Sequence, residues 1–247
     1  LSRGLGDVYK RQIIINNKFM EDINKELAAI WEEYASIDNE VLKERGYLYC
    51  NNIQQKDILI TGINPSFTDN KKGQEPPYEF INCNSGRYWI PIKNMLKSNE
   101  CDYINSAAYF DLFYFRETNQ KYIRNVILKH KDGVQFLVRQ LRVTQQLMEE
   151  VIRPKVIIIK NKESYAYWGK LSDKGYIWMG YEFESIGNCS CGEICRITGF
   201  IESDERISPE LVQSNLVGSI VLFSKYNRYL KKEEKVTVEI IRQLLDL

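Results

Sequence analysis

Proline and glycine are scarce, at 6 and 14 of 247 residues, too few for a disordered or collagen-like chain. No stretch approaches 18 uninterrupted apolar residues, so no membrane-spanning helix is expected. Net charge is almost absent, +1 at pH 7, and no strong overall field advertises a nucleic acid or a membrane surface. Histidine occurs once, as His130. The six cysteines are Cys50, Cys83, Cys101, Cys189, Cys191 and Cys195. Only Cys189-x-Cys191-x3-Cys195 clusters, and it lacks the paired C-x2-C hooks of a zinc site, so no metal is expected. The phosphate cradles G-x-G-x-x-G and G-x4-G-K-[ST] are missing too. What is present is ordinary for a globular protein, 44% apolar and 27% charged residues, and enough to bury a core.

Residues 1–12 (LSRGLGDVYKRQ) stand apart. From Ser2 to Gln12 they resemble the in-frame translation of a transposase adapter, which implies a reading frame from a fragmentary, metagenomic assembly. Such scars are set aside from fold reasoning, and these residues are expected to pack against nothing. Residues 13–19 (IIINNKF) read as translated upstream DNA, Met20 as the start, and 20–247 as a single domain. Residues 1–19 carry four bases and one acid, so the faint basicity lies there. Ile13 to Ile15 is too short for the apolar stretch of a signal peptide. A cytoplasmic location with free thiols is therefore expected.

Met20, Ile23, Leu27, Ile30, Trp31 and Tyr34 recur at helical spacing and predict a helix over 20–35. Its other face is acidic: residues 21–45 hold eight acids and three bases. Residues 57–62 (DILITG) read as a short buried strand ending in Ile63-Asn64-Pro65-Ser66. A loop rich in Gly, Pro and Asn follows, then a short helix from Tyr88 to Leu96. The first part of the apolar run 103–115 predicts a second strand. Residues 133–152 predict a longer helix, stopped at Arg153-Pro154 because proline cannot continue the hydrogen-bond ladder. Residues 155–160 (KVIIIK) and 219–224 (SIVLFS) are further buried strands, with helices over 164–171 and 233–245. Residues 176–201 predict a hairpin turning at Gly187-Asn188. Short apolar strands alternating with helices indicate a parallel sheet covered on both faces. The expected fold is therefore α/β, a three-layer α/β/α domain. Its central four-stranded parallel sheet comprises Ile58–Gly62, Asn105–Phe110, Val156–Lys160 and Ser219–Phe223, and a β-hairpin is inserted.

In such a sheet ligands bind beyond the carboxyl ends of the strands. Gly62-Ile63-Asn64-Pro65-Ser66 resembles the first motif of the uracil-DNA glycosylase superfamily, closest to the G-I-N-P-G of its mismatch-specific thymine/uracil branch. Arg87-Tyr88-Trp89 is similar to that branch's N-R-F-W, and Arg153-Pro154-Lys155-Val156-Ile157 to the R-P-K-V-I of bacterial branches. The pattern spans residues 45–246. There are two departures. The second motif, usually H-P-S or N-P-S, reads Ser224-Lys225-Tyr226-Asn227-Arg228, and the base-reading Asn at the end of the second strand is replaced by Asp111.

The resemblance implies base flipping and hydrolysis of an N-glycosidic bond by a positioned water. Asn64 would orient the water, with Gly62, Ile63, Pro65 and Ser66 around the base and Tyr78 or Phe80 as its stacking wall. Asp111 would face the base edge and accept from an amino group, or be protonated. Lys225, Tyr226 and Asn227 occupy the place of the missing histidine, where a donor or cation helps an anionic base depart. Arg87, Lys225, Arg228, Lys231 and Lys232 are the expected DNA contacts, and no cofactor is implied. Two basic stretches, 119–142 and 220–235, are candidates for gripping phosphates, or are solvated helix faces. The alternatives are a catalytically inactive nucleic-acid-binding member of the same fold and a small-molecule-binding α/β protein. Taken on their own, Tyr88 and Trp89 read as core, and Asp111 as a helix cap or a partner of Arg116.

Overall fold

The computed structural model describes residues 20–38, 40–51, 53–67, 73–119, 121–225 and 230–247. The expectations for residues 1–12 and for Tyr226, Asn227 and Arg228 lie outside the described residues. Helix α1, residues 20–33, follows from its apolar stripe: Ile23, Leu27, Ile30 and Trp31 are all buried. Its acidic face is not idle. Arg139 donates from Nε to Glu26, 2.9 Å, and from Nη1 to Glu33, 2.8 Å. Part of the basic 119–142 stretch thus docks a helix. α2 is Val41–Arg45, β1 Ile58–Gly62 and α3 Gly86–Leu96; β2 is Ala107–Asp111 and α4 Tyr122–Asn125.

α5 runs from Gly133 to Gln146 and continues as a π turn, Leu147–Ile152. Arg153 then turns left-handed at φ 46°, so the Arg153-Pro154 stop lies where the sequence places it. β3 is Val156–Ile159 and α6 Tyr165–Trp168. β4 is Tyr181–Cys189, β5 Gly192–Phe200, β6 Ile220–Ser224 and α7 Val238–Leu245. The last helix is shorter than expected because the Thr237 hydroxyl caps it, accepting from the Ile240 N–H at 3.5 Å.

β1 lies between β2 and β3, and β6 follows β3, all parallel. Every residue of these four strands is buried, which requires cover on both faces. The expected four-stranded parallel sheet is corrected in one respect. The sheet is mixed and six-stranded, ordered β2-β1-β3-β6-β5-β4. β5 pairs antiparallel with β6, from Gly192 opposite Ser224 to Arg196 opposite Ile220. The hairpin is thus the sheet's own edge and meets the open hydrogen-bonding row of β6.

The hairpin also turns later than expected, at Ser190-Cys191 rather than Gly187-Asn188. Asn188 and Cys189 still pair, with Glu193 and Gly192, and Gly187 sits beside a bulge. The register follows from Gly192, where a Cβ would collide with the Phe223 carbonyl and Ser224 backbone. Among the described residues no helix is long and apolar enough to cross a membrane.

Candidate functional site

The chain leaves β1 toward β2 on one side and returns to β3 on the other. The carboxyl ends of β1 and β3 therefore flank a topological switch point, the place where open α/β sheets hold ligands. A cleft enclosing about 590 Å³ of open space lies there, lined by Gly62, Asn64, Tyr88, Asp111, Lys160 and Asn161 among others. An adjoining hollow shares Asn64, Ser66, Tyr88 and Asp111 and adds Tyr78, Trp89, Glu75 and Arg116.

Backbone bonds continue past the strands: Phe113 N–H to Ile63 O, 2.9 Å, and Glu117 N–H to Pro65 O, 2.9 Å. They hold the Asn64 loop against the loop after β2. Asn64 Nδ2 donates to Glu117 O at 2.7 Å and Pro65 O at 3.0 Å. Both partners are acceptors, so the amide has one workable orientation. Its Oδ1 has no donor among the described residues and is left for a ligand or water.

Gly62 is required by close approach, since a Cβ there would collide with Asp111 Oδ1 and the Tyr109 hydroxyl. Tyr109 donates to Asp111 Oδ1, 2.8 Å, and its hydroxyl also bonds that of Tyr88. Tyr88 is half-exposed, so this chain of hydroxyls joins a buried carboxyl to the surface. Burial pushes the Asp111 carboxyl up to about 7, against the pull of the Tyr109 bond and of Lys160. Burial likewise lowers Lys160 to about 8, opposed by Asp111. The Lys160 ammonium stands 5.4 Å from the centre of the Tyr88 ring. Among the described residues it has no hydrogen-bond or ion-pair partner.

A pH prediction follows. The folded state holds the Asp111 proton between about pH 4 and pH 7, where an unfolded carboxyl releases it. This carboxyl's contribution is therefore full below pH 4 and lost as pH rises through 7. Asp111→Asn, which still accepts from Tyr109 and never ionises, is expected to be more stable relative to wild type at pH 8 than at pH 4. Urea melts at the two values check this; equal differences would count against a protonated Asp111.

The remaining expected residues divide between this site and places away from it. Ile63 lines the cleft and Pro65 the adjoining hollow, both mostly buried, and Ser66 is exposed at the mouth of both. Tyr78 reaches the adjoining hollow, with its ring 5.4 Å from Trp89. Phe80 does not form the wall: it lies 5% exposed, stacked behind Tyr109 at 6.1 Å. Arg87 is exposed in the first turn of α3, and Lys231 and Lys232 are exposed after β6. Lys225 turns toward the hairpin, donating to Ser190 O at 3.0 Å and lying 3.8 Å from Glu234. It lines a different hollow with Tyr165 and Cys189, because the β5–β6 pairing draws the end of β6 against the turn. Arg116 pairs with Glu75, 2.7 Å, and not with Asp111.

Sequence reasoning missed Lys160 as a site residue. Its signal was available: an ionisable residue directly after a purely β-branched buried strand, at the end where such sheets bind ligands. Tyr109 carried no signal apart from its aromatic neighbours. The cysteine cluster brings Cys189 and Cys191 sulfurs within 3.0 Å, and no grouping of metal-ligating side chains occurs among the described residues. Comparison with family models, with curated proteins and with solved structures gave no match.

Proposed function

We propose that this chain excises a damaged or mismatched base, of uracil type, from DNA by hydrolysis of its N-glycosidic bond. The observation that carries the reading is Asn64. Two backbone carbonyls fix its amide, and its Oδ1 lies in a cleft also lined by Lys160, a cation without a hydrogen-bond or ion-pair partner among the described residues. Oδ1 accepts a hydrogen bond from water and aims its lone pair at the anomeric carbon. The bond to the base breaks through an oxocarbenium-like state, and the base leaves with negative charge. Lys160, in place of the expected Lys225, supplies the positive charge that favours departure. Tyr88, Trp89 and Tyr78 supply the aromatic surface on which an extruded base stacks.

The motif order Gly62-Ile63-Asn64-Pro65-Ser66, Arg87-Tyr88-Trp89 and Arg153-Pro154-Lys155-Val156-Ile157 supports a uracil-DNA glycosylase-like, three-layer α/β/α domain, and the fully buried parallel strands agree with it. Exposed Arg87, Lys231 and Lys232 are the phosphate contacts. Oligonucleotides bearing uracil, hypoxanthine, a G·T or a G·U mismatch test the reading, with base release expected from at least one. Release from none, with DNA still bound, favours an inactive binding member of the fold. No binding even at low salt favours a small-molecule ligand.

Lys225→Ala discriminates further. Its ammonium is half-exposed and turned from the cleft. The expected result is weaker DNA binding with a salt slope lowered by about one, the signature of a phosphate contact. A fall in the single-turnover rate with an unchanged slope would instead place Lys225 at the departing base.

A further inference from the structure

The cleft holds an amine that makes no hydrogen bond or ion pair among the described residues. This is Lys160, which follows β3 directly and stands half-buried in the cleft lined by Gly62, Asn64, Tyr88 and Asp111. A buried lysine held for stability is ordinarily paired. Lys93, for comparison, is buried but donates to Ile81 O and lies over the Phe80 ring. Among the described residues Lys160 meets the face of Tyr88 and the charge of Asp111, a carboxyl already engaged by Tyr109. An unpaired amine beside a carboxyl that can hold or release a proton is the apparatus for adding nitrogen to a carbonyl.

We propose that Lys160 is a nucleophile that forms a Schiff base with the aldehyde of a ring-opened abasic deoxyribose, so that the protein also cleaves the DNA backbone at abasic sites. The inference deepens the base-excision reading, on which it rests only for the origin of the aldehyde. The free Nζ lone pair adds to C1′ while the carbonyl oxygen takes a proton from Asp111. The Asp111 carboxylate removes a proton from the nitrogen, then returns it to the hydroxyl, which leaves as water. One amine, one aldehyde and the proton of Asp111 have become one protonated imine and one water, leaving Asp111 a carboxylate. It removes a proton from C2′, and the electron pair expels the 3′ phosphate. Water then hydrolyses the imine, freeing Lys160 and an unsaturated aldehyde. No oxidant or metal enters the sequence. Lowering of the Lys160 proton affinity by burial keeps a share of the amine uncharged near neutral pH, as the first step needs.

The test uses the full chain and an oligonucleotide carrying a ready-made abasic site, so no base release is required. Incubation with sodium borohydride is expected to yield a covalent protein–DNA adduct, mapped by peptide mass spectrometry to Lys160. A tetrahydrofuran abasic analogue, which has no aldehyde, should give none. Lys160→Arg keeps the charge but forms no imine. It should lose the adduct while still binding the analogue, which separates lost chemistry from lost folding. Absence of an adduct with wild type, or an adduct mapped to any other amine, overturns the inference. Wild type that releases bases yet is never trapped removes this inference alone. Wild type that is trapped at Lys160 yet releases no base supports it and removes the excision reading.

Discussion

Asn64→Ala is expected to lower the single-turnover rate of base release by on the order of 100- to 1000-fold, with DNA affinity held within a few-fold. On the base-excision proposal the loss falls on rate, because Oδ1 would act on the attacking water, which matters only as the bond breaks. The variant also loses the Nδ2 bonds to Glu117 O and Pro65 O, each worth about 1 kcal/mol. A melt of the unliganded protein measures that structural share. Asn64→Asp adds a sharper comparison. Its carboxylate would point one oxygen at two carbonyl oxygens, with no proton to offer either. It is expected to disturb the loop more than alanine does, and so not to rescue activity. A full rate in either variant would remove Asn64 from the chemistry.

Glu149→Ala is expected to destabilise the fold by about 3–5 kcal/mol, a large share of the total for a domain of this kind. The side chain is 2% exposed in the π turn after α5. Its carboxyl oxygens accept from the Tyr181 hydroxyl at 2.9 Å, the Ser214 hydroxyl at 2.7 Å and the Asn215 N–H at 2.6 Å. Alanine leaves the buried Tyr181 and Ser214 hydroxyls without this acceptor and opens a cavity beside them. The node ties α5 to β4 and to the loop before β6, so the hairpin edge is expected to loosen first. Urea unfolding measures the loss, and hydrogen exchange at β4 and β5 locates it. A change below about 1 kcal/mol would mean that water replaces the carboxylate at little cost.

Much of this architecture was legible in the chain. Ile58–Gly62 coincides with its expected strand, and the other three parallel strands differ only at their ends. A strand buried on both faces must be apolar throughout, and DILITG, KVIIIK and SIVLFS are nearly so. The shift of β2 from Asn105–Phe110 to Ala107–Asp111 matters more than its size, because it brings Asp111 into register with Gly62. The glycine was legible as part of a motif. Its reason was not: the space it leaves is taken by a carboxyl and a hydroxyl from the neighbouring strand.

The sequence by itself determined the α/β class, the four buried strands, the helix stop at Arg153-Pro154 and the place of Asn64 just past a strand end. Each follows from local patterning, through apolar runs, helical periodicity and the missing N–H of proline. Only the tertiary structure decided that the hairpin extends the sheet, that Lys160 rather than Lys225 faces the cleft, and that Tyr109 links Asp111 to Tyr88. These are matters of register and direction. The Asn64 amide is fixed by a carbonyl 53 residues away, and Lys225 is drawn aside by a turn 35 residues before it. Strand pairing brings such groups together, and no local pattern along the chain records which distant carbonyl a side chain will meet.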